Sequence, residues 1–426
     1  MDNAAVTAQA VRVAVIADDL TGAGDTVVQF AQKGWKSWLL RTGEVPQLPP
    51  VAAVARALNT RALPDAEASE RTREATCAQL AAGVTRLYLK IDSTMRGSVA
   101  AQLSGALEAW RSVYPEAFVV LCPAYPVMGR VIRDGRLWVN GVSLEDSPAG
   151  SDQVTPMKSS VFTELVPGAA VVPAGSAAEL LAAISAAAKQ HPVIVVEATE
   201  EVHLQTLAQV VAQLGTQALP AGSAGLALAL AEAWLPVGEV VQTPALPQAQ
   251  GTMLLLRSSA NEVSRRQVAR LLASLPAEAC SVLTPNVADL ASEDSLRAWI
   301  GLQSSILPKA TLLLVSAPEE RVQGGSLVDV SRRVAQAMAT IVASMVSRGL
   351  ARTLILLGGD GADATLDALG VKHLRVIRSV VEGVPVAEAE GRDGQRFIVV
   401  TKAGGFGDEN TLITIAGRLQ AKSASL

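Results

Sequence analysis

The chain has 426 residues, which exceeds one ordinary domain and favours two. Half of the residues are hydrophobic, only 3% are aromatic, and the net charge is −4 at pH 7, so the sequence offers neither a basic surface nor stacking platforms for nucleic acid. No apolar run reaches the roughly 18 residues of a membrane span, and no basic secretion signal opens the sequence. With three widely spaced cysteines, this composition predicts a cytoplasmic protein without nucleic-acid or membrane partners.

The first half of the chain alternates short apolar runs with helical patterns, which is typical of βαβ units and a mainly parallel sheet. Strands are predicted at 11–17, 53–58, 86–91, 118–122 and 193–197. Helices are predicted at 27–35, 66–82, 99–114, 177–189 and 201–214. Residues 129–160 break this rhythm and are predicted to form a long polar loop with a function.

A stretch with two prolines, residues 241–251, is the predicted linker between a first domain at 1–240 and a second at 252–426. Beyond it, strands are predicted at 252–256, 280–283, 311–315, 353–357, 375–377 and 397–400, and helices at 264–275, 328–347 and 363–369. The predicted fold is therefore α/β, with two domains that are each a mainly parallel sheet flanked by helices. The active site is expected in the cleft between them.

An acidic turn, Asp18-Asp19-Leu-Thr-Gly22, follows the first predicted strand. Ligands of open α/β sheets bind at the carboxyl ends of strands, where paired carboxylates can accept a hydroxyl proton, bind sugar hydroxyls or hold a cation. The alternative is a helix cap, in which an Asp side chain accepts from free backbone N–H groups. Capping accounts for one acid better than for three, Asp25 included, so Asp18 and Asp19 are candidate site residues.

Further polar side chains follow the next predicted strands or open the polar loop. Guanidinium groups can bind a carboxylate with two hydrogen bonds, and a lysine adds a point charge. An ordinary helix cap surrounded by solvated cations is the alternative. Because a sheet brings its strand ends together, these residues predict a binding site for a small polyhydroxy anion. They are Arg61, Lys90, Asp92, Ser93, Thr94, Arg96 and Arg130.

The second half has glycine-rich turns after predicted strands, but neither a P-loop nor a protein-kinase signature. Glycine lets backbone N–H groups approach phosphate at a helix N-terminus, although ordinary βα turns are the alternative. An anion site and a phosphate site together predict phosphoryl transfer to a small acidic sugar, usually with Mg²⁺. The candidate nucleotide-binding residues are Ser258, Ser259, Gly358, Gly359, Asp360, Gly361, Ala362, Lys402, Gly404 and Gly405.

Over nearly the whole chain, these motifs resemble the four-carbon acid sugar kinases. The resemblance rests on residues 17–23, Lys-x-Asp-Ser-Thr-x-Arg-Gly at 90–97, and the run at 123–135. It implies a two-domain kinase that uses ATP and Mg²⁺ to phosphorylate the 4-hydroxyl of threonate, erythronate or a 3-oxo-tetronate. On this hypothesis Asp18 or Asp19 is the general base, and Lys90, Arg61 and Arg96 hold the carboxylate.

Three turns of the second half depart from the family pattern. Gly-Gly-Asp-Gly at 358–361 stands where Gly-Gly-Glu-Thr is common, Arg257-Ser-Ser where Ser-Gly-Ser is common, and Gly405 where Asn is common. The departures favour one alternative, a non-catalytic acid-sugar-binding sensor with a degenerate nucleotide site, and they make Arg257 a candidate phosphate contact. A nicotinamide-dependent dehydrogenase is disfavoured because Gly-x-Gly-x-x-Gly is missing after the first strand. The stereoisomer of the substrate and the oligomeric state stay open.

Overall fold

The computed structural model describes residues 11–43, 48–49, 51–152, 155–236, 244–258, 261–306, 310–319 and 327–421. The chain divides into two compact units, Met1–Leu40 with Glu44–Thr243, and Arg41–Gly43 with Pro244–Leu426. The predicted linker falls partly outside the described residues, and the exact domain boundary stays a prediction. Within the described ranges, no helix is both long enough and apolar enough to cross a membrane.

The first unit contains a parallel sheet flanked by helices and a small, separate antiparallel sheet. Its strands are β1 (Val11–Ala17), β2 (Lys36–Leu40), β3 (Val51–Ala57), β4 (Arg86–Lys90), β5 (Phe118–Cys122), β6 (Arg130–Arg133), β7 (Arg136–Val139), β8 (Val142–Ser143), β9 (Ala170–Val172), β10 (Val193–Val196) and β11 (Ala218–Gly222). Its helices are α1 (Leu20–Gln32), α2 (Asp65–Ala81), α3 (Val99–Arg111), α4 (Phe162–Leu165), α5 (Ala177–Ala187), α6 (Glu201–Leu214) and α7 (Ala224–Ala233).

The order of strands in this unit creates a switch point beside β1. The order is β2-β3-β1-β4-β11-β5-β10-β9, with parallel pairing throughout. Strand β1 therefore has β3 on one side and β4 on the other. The connection from β1 to β2 runs to one side of β1, and the connection from β3 to β4 crosses to the other side. In open α/β sheets the crevice at such a point is the usual ligand site. Burial of both sheet faces explains why β5 and β10 are apolar at every position.

The second unit has a mixed sheet. Its strands are β12 (Met253–Arg257), β13 (Cys280–Leu283), β14 (Leu312–Ser316), β15 (Thr353–Leu357), β16 (His373–Val381), β17 (Val384–Glu390) and β18 (Arg396–Lys402), and its helices are α8 (Glu262–Ala273), α9 (Glu293–Ile306), α10 (Leu327–Ser347), α11 (Gly359–Ala368) and α12 (Thr411–Gln420). Strands β13-β14-β12-β15-β18 are parallel, and β17 and β16 continue the sheet in antiparallel pairing. Leu255, Ile355 and Val400 lie in its core with Leu412 and Ile415 of α12.

The α/β class with mainly parallel sheets is confirmed, but two local predictions are wrong. The first helix begins at Leu20 rather than at residue 27, because the Asp19 side chain caps it by accepting from Gly22 N–H at 2.6 Å. Residues 129–160 are not one loop, since β6, β7 and β8 form a three-stranded antiparallel sheet. Asp134 and Gly135, with φ of 54° and 68°, make the tight hairpin turn between β6 and β7.

Candidate active site

Three strand ends meet at the switch point of the first unit. The backbone N–H of Thr60, just beyond β3, donates to the carbonyl of Asp18, and Asp18 N–H donates to the carbonyl of Lys90 at the end of β4, at 2.9 and 3.3 Å. These bonds extend the strand pairing of β1 past its last residue. They bring the acidic turn after β1 next to the polar residues after β3 and β4, as the sequence predicts.

The guanidinium of Arg61 links the carboxylates of this site. It lies 2.8 Å from Asp18 Oδ2, 2.9 Å from Asp19 Oδ2 and 3.6 Å from Asp92 Oδ1. Burial by itself would lower the pKa of Arg61, but Asp18, Asp19 and Asp92 raise it well above its ordinary value. Arg61 is therefore a permanent positive charge that holds three acids close together.

Asp92 and Arg96 form a second ion pair beside the first. Arg96 Nε donates to Asp92 Oδ2 at 2.8 Å, Arg96 Nη2 donates to Asp92 Oδ1 at 3.0 Å, and the Thr94 hydroxyl donates to the same carboxylate. Arg96 Nη1 also donates to Asp152 Oδ2 at 2.9 Å. Asp152 is not among the predicted site residues, and its place in the polar segment after β5 is the only feature of the sequence that points to it. Protein carboxylates thus engage the whole fork of Arg96, and its predicted contact with substrate stays a prediction.

Replacing Asp92 by asparagine is expected to have a pH-dependent effect on stability. Burial would raise the pKa of Asp92, but Arg61, Arg96 and the Thr94 hydroxyl hold it far below its usual range. Because the folded-state pKa is depressed, Asp92 stabilises the fold above about pH 3.9, and this contribution is lost as the pH falls through the folded-state pKa. Urea unfolding should therefore show a larger loss in Asp92→Asn at pH 7 than at pH 3. An equal loss at both values would contradict this account.

Asp18 and Asp19 have different surroundings. The Asp18 side chain is only 1% exposed, burial raises its pKa, and within the described residues its Oδ1 has no hydrogen-bond partner. The Asp19 side chain is 29% exposed, while it caps α1 and binds Arg61. Asp19 is therefore the helix cap that one alternative predicted, and its role in a ligand site stays a prediction. Of the two carboxylates, only that of Asp19 is open to solvent and to a ligand.

Gly22 is needed where these charges converge. A Cβ atom on Gly22 would lie 2.7 Å from Asp19 Oδ1, 3.0 Å from Lys90 Nζ and 3.4 Å from Asp18 Oδ1. Lys90 is buried and donates to the carbonyl of Ile91 at 2.8 Å. Any side chain at position 22 would therefore displace at least one carboxylate of the site.

The remaining predicted residues of this half also lie close to the ion pairs. Ser93 is half-buried between Asp92 and Thr94 in sequence. Arg130, at the start of β6, donates to the carbonyl of Met128. Burial lowers the pKa of Arg130, while the charge of Asp92 acts to raise it and that of Arg96 to lower it further. In the described part of the chain, Arg130 Nε is buried without a hydrogen-bond partner.

A cavity of about 220 Å³ opens beside Arg61. Its wall includes Gly97 and Ser98, just before α3, and Gly97 has a φ of +86°. A Cβ atom on Gly97 would lie 2.6 Å from the carbonyl oxygen of Arg61, so glycine permits this close approach. The lining residues are Arg61, Ala62, Leu63, Gly97, Ser98, Thr155, Pro156 and Met157.

In the second unit, the predicted nucleotide-binding turns follow three neighbouring strands, β12, β15 and β18. We call these turns, residues 257–258, 358–362 and 402–405, the glycine cradle. Gly358 N–H donates to the carbonyl of Lys402 at 2.9 Å, and the Ser258 hydroxyl donates to that of Leu357 at 3.0 Å. Gly358 has a φ of +100° and no side chain, and within the described residues no side chain caps the first N–H groups of α11. Ser259 lies outside the described residues.

Lys402 stabilises the third turn of the glycine cradle, to which it belongs. Its buried Nζ donates to the carbonyls of Ala403 and Phe406, each at 2.8 Å, and to that of Gly404 at 3.4 Å. Burial lowers the pKa of Lys402 to about 8. The ammonium therefore stabilises the turn after β18, and its predicted contact with a nucleotide stays a prediction.

Side chains that the sequence analysis did not predict hold the same turn. Ser264 donates to the carbonyl of Gly404 at 2.6 Å, and Gln267 donates to that of Phe406 at 2.9 Å. Both are buried polar residues on α8. The only sign of them in the sequence is that they are polar residues of the helix predicted at 264–275. Arg257 donates to Ser316 Oγ at 2.9 Å and Glu319 Oε1 at 2.6 Å, contacts that tie the ends of β12 and β14 together.

Gly361→Ala is expected to damage the cradle. The added Cβ would lie 2.0 Å from Ser258 Oγ and 2.3 Å from Ser258 Cβ, so α11 or the turn after β12 must move. Because 1 Å of misplacement can cost about 10²-fold, we expect the KM for ATP to rise at least about tenfold. Gly417→Ala on α12 is the control, since its Cβ meets no described atom within 4 Å. A normal KM in Gly361→Ala would show that α11 is not part of the nucleotide site.

The fold defines a two-unit α/β protein, with an ion-paired polar cluster at the switch point of one unit and glycine-rich turns after three parallel strands of the other. A sugar-binding N-terminal domain model matches residues 13–230, and a nucleotide-binding C-terminal domain model matches residues 254–412. The D-threonate kinase of Bordetella bronchiseptica is 35% identical, covering 96% of this chain and 98% of its own. The D-threonate kinase of Salmonella typhimurium is 30% identical, over 93% of this chain and 96% of its own.

Solved structures show the same fold. A protein of Salmonella typhimurium described as a candidate tRNA synthase superposes with a TM-score of 0.77 at 24% identity, covering 96% of this chain and 98% of its own. A Haemophilus influenzae protein assigned to a family of unknown function has a TM-score of 0.71 at 22% identity, covering 95% and 100%. From the domain models and the sequence relatives, the chain belongs to the four-carbon acid sugar kinase family.

Proposed function

We propose that this protein transfers the γ-phosphoryl group of ATP to the 4-hydroxyl of D-threonate. The observation that carries the proposal is the cluster of carboxylates around Arg61, which lies at the switch point of the unit matching the sugar-binding model. Paired acids and cations of this kind suit a ligand that has both hydroxyls and a carboxylate. The proposed place for the sugar acid is beside this cluster, next to the partly exposed carboxylate of Asp19.

D-threonate is favoured over related acids because the relatives named for it have the higher sequence identities to this chain. Relatives named D-threonate kinase are 30 to 35% identical to this chain, whereas relatives named 3-oxo-tetronate kinase are 26 to 28% identical. All of them match over at least 92% of the chain, so the difference does not come from coverage.

In the proposed reaction, Asp19 orients the 4-hydroxyl and accepts its proton. A base must reach the proton it takes, and the Asp19 carboxylate is 29% exposed whereas that of Asp18 is 1% exposed. Asp18 then acts indirectly, by holding Arg61 against Asp19. In a loose transition state the base mainly orients the nucleophile and accepts its proton late. Lys90, Arg61 and Arg130 supply positive charge for the substrate carboxylate.

The glycine cradle fits the phosphates of ATP. The uncapped N–H groups at the start of α11 and the glycines at 358, 359 and 361 allow close approach of an anion. When bound, ATP supplies the phosphoryl group and Mg²⁺ neutralises charge on its oxygens. Among the described residues no group of three or more His, Cys, Asp or Glu side chains is arranged so that it could hold a metal ion. Mg²⁺ would therefore depend on ATP oxygens and water, with Asp360 as the carboxylate that the cradle contributes.

The test is ADP release with Mg-ATP and a panel of D- and L-threonate, D- and L-erythronate and the 3-oxo-tetronates. We expect the highest kcat/KM for D-threonate, with phosphorus NMR placing the new phosphate on carbon 4. Turnover of a 3-oxo acid alone would overturn the choice of substrate. Binding of a tetronate by calorimetry without turnover of any acid would overturn the kinase and favour a non-catalytic sensor.

A further inference from the structure

Arg41 is a buried arginine that has no part in either site as described above. Its side chain is only 5% exposed. It follows β2 and belongs to Arg41–Gly43, a short segment assigned to the second unit although the strands on either side, β2 and β3, belong to the first. The backbone N–H groups of Arg41 and Thr42 both donate to the carbonyl of Lys372, at 2.9 and 3.2 Å. The segment is thus fastened beside α11.

The guanidinium of Arg41 binds α11 in its second turn and also binds the chain just after the helix ends. Nε and Nη2 donate to Asp363 Oδ1 at 3.1 and 2.6 Å, and Nη2 also donates to the backbone carbonyl of Asp363 at 2.8 Å. Nη1 donates to the carbonyl of Val371, in the turn that follows the helix, at 2.9 Å. One planar fork therefore contacts both the second turn of α11 and the chain that leaves it.

Helix α11 depends on such contacts for its position. It has only 10 residues and begins Gly-Asp-Gly, so intrinsic helix propensity contributes little to its stability. Its first turn is nevertheless part of the glycine cradle, where Gly361 lies directly against Ser258. A small shift of the helix would move every N–H group that faces the cradle.

We propose that Arg41 is a positioning residue of the nucleotide site, which holds α11 where its first turn can bind phosphate. This inference rests on the proposed function. It makes affinity for ATP depend on a residue more than 300 positions earlier in the sequence, since Arg41 and Asp363 are 322 positions apart. Because the grip uses three nitrogens of one rigid fork, lysine cannot replace it.

The test compares Arg41→Met and Arg41→Lys in the full-length protein with Arg375→Met. Arg375 is the control because it is 50% exposed in a surface ion pair with Glu388 of the same unit. In both Arg41 variants we expect the KM for ATP, and the Kd for ADP by calorimetry, to rise about tenfold or more. The KM for the acid sugar and the kcat at saturating ATP should stay near those of the wild type. Arg375→Met should leave all four values unchanged.

Two results would overturn the inference. One is an unchanged KM for ATP in Arg41→Met, and the other is a loss of active enzyme with every KM unchanged, which is what a merely structural role predicts. Gly361→Ala, measured in parallel, separates this inference from the proposed function. If Gly361→Ala raises the KM for ATP and Arg41→Met does not, only the role of Arg41 is overturned. If neither variant raises it, the glycine cradle is overturned as the nucleotide site as well.

Discussion

Arg61→Met is expected to lower the free energy of unfolding by about 3–5 kcal/mol, the usual cost of removing one partner from a buried ion pair. The loss should be large because Arg61 lies within 2.9 Å of both Asp18 and Asp19, and within 3.6 Å of Asp92. Without the guanidinium, the buried Asp18 carboxylate would lose its ion-pair partner, and the charge of Lys90 would still act to lower its pKa. Urea unfolding followed by circular dichroism measures the change.

Two further variants show whether charge is the reason. Arg71→Met removes an exposed arginine that pairs with Glu67 on α2, and it should change stability by less than about 0.5 kcal/mol. Adding Asp18→Asn to Arg61→Met should recover part of the lost stability, because it removes a buried negative charge that has lost its partner. If the double variant were as unstable as the sum of the two single variants, the ion-pair explanation would be wrong.

Asp19→Asn is expected to lower kcat by about 10²- to 10⁴-fold, the range typical of losing a general base. Asparagine is as good a helix cap as aspartate, so α1 should keep its start and the variant should fold normally. The KM for ATP should change little, because Asp19 lies in the sugar-binding unit. Steady-state kinetics with D-threonate and Mg-ATP measures both values.

The comparison with Asp18→Asn decides between the two carboxylates. Asp18→Asn should also reduce kcat, but less than Asp19→Asn does, because Asp18 acts through Arg61. Asp134→Asn is the matched control, since the Asp134 side chain is 83% exposed in the hairpin turn of the same unit. A larger loss in Asp18→Asn would reverse the two roles. Near-normal turnover in both variants would exclude this acid pair as the source of the base.

The sequence predicted the architecture because its signals are local. The predicted runs 118–122, 280–283 and 353–357 match the observed strands to the residue. Strands 118–122 and 353–357 are buried at every position, which favours a nearly continuous apolar run. Elements with weak local signals were missed. Strand β11 is Ala-Leu-Pro-Ala-Gly, with no β-branched residue, and it is a strand only because β4 and β5 pair with it on both sides.

The sequence alone determined the α/β class and the polar turns that supply the candidate site, because chain periodicity and residue type at strand ends suffice for these. The motifs in those turns carried the resemblance to the family. Only the tertiary structure decided how those residues are paired. That Arg61 joins Asp18, Asp19 and Asp92 depends on β1 lying between β3 and β4, which no local pattern encodes. Asp152 and Arg41 could not be predicted from the sequence for the same reason. Their partners lie 56 and 322 positions away, and only packing brings such residues together.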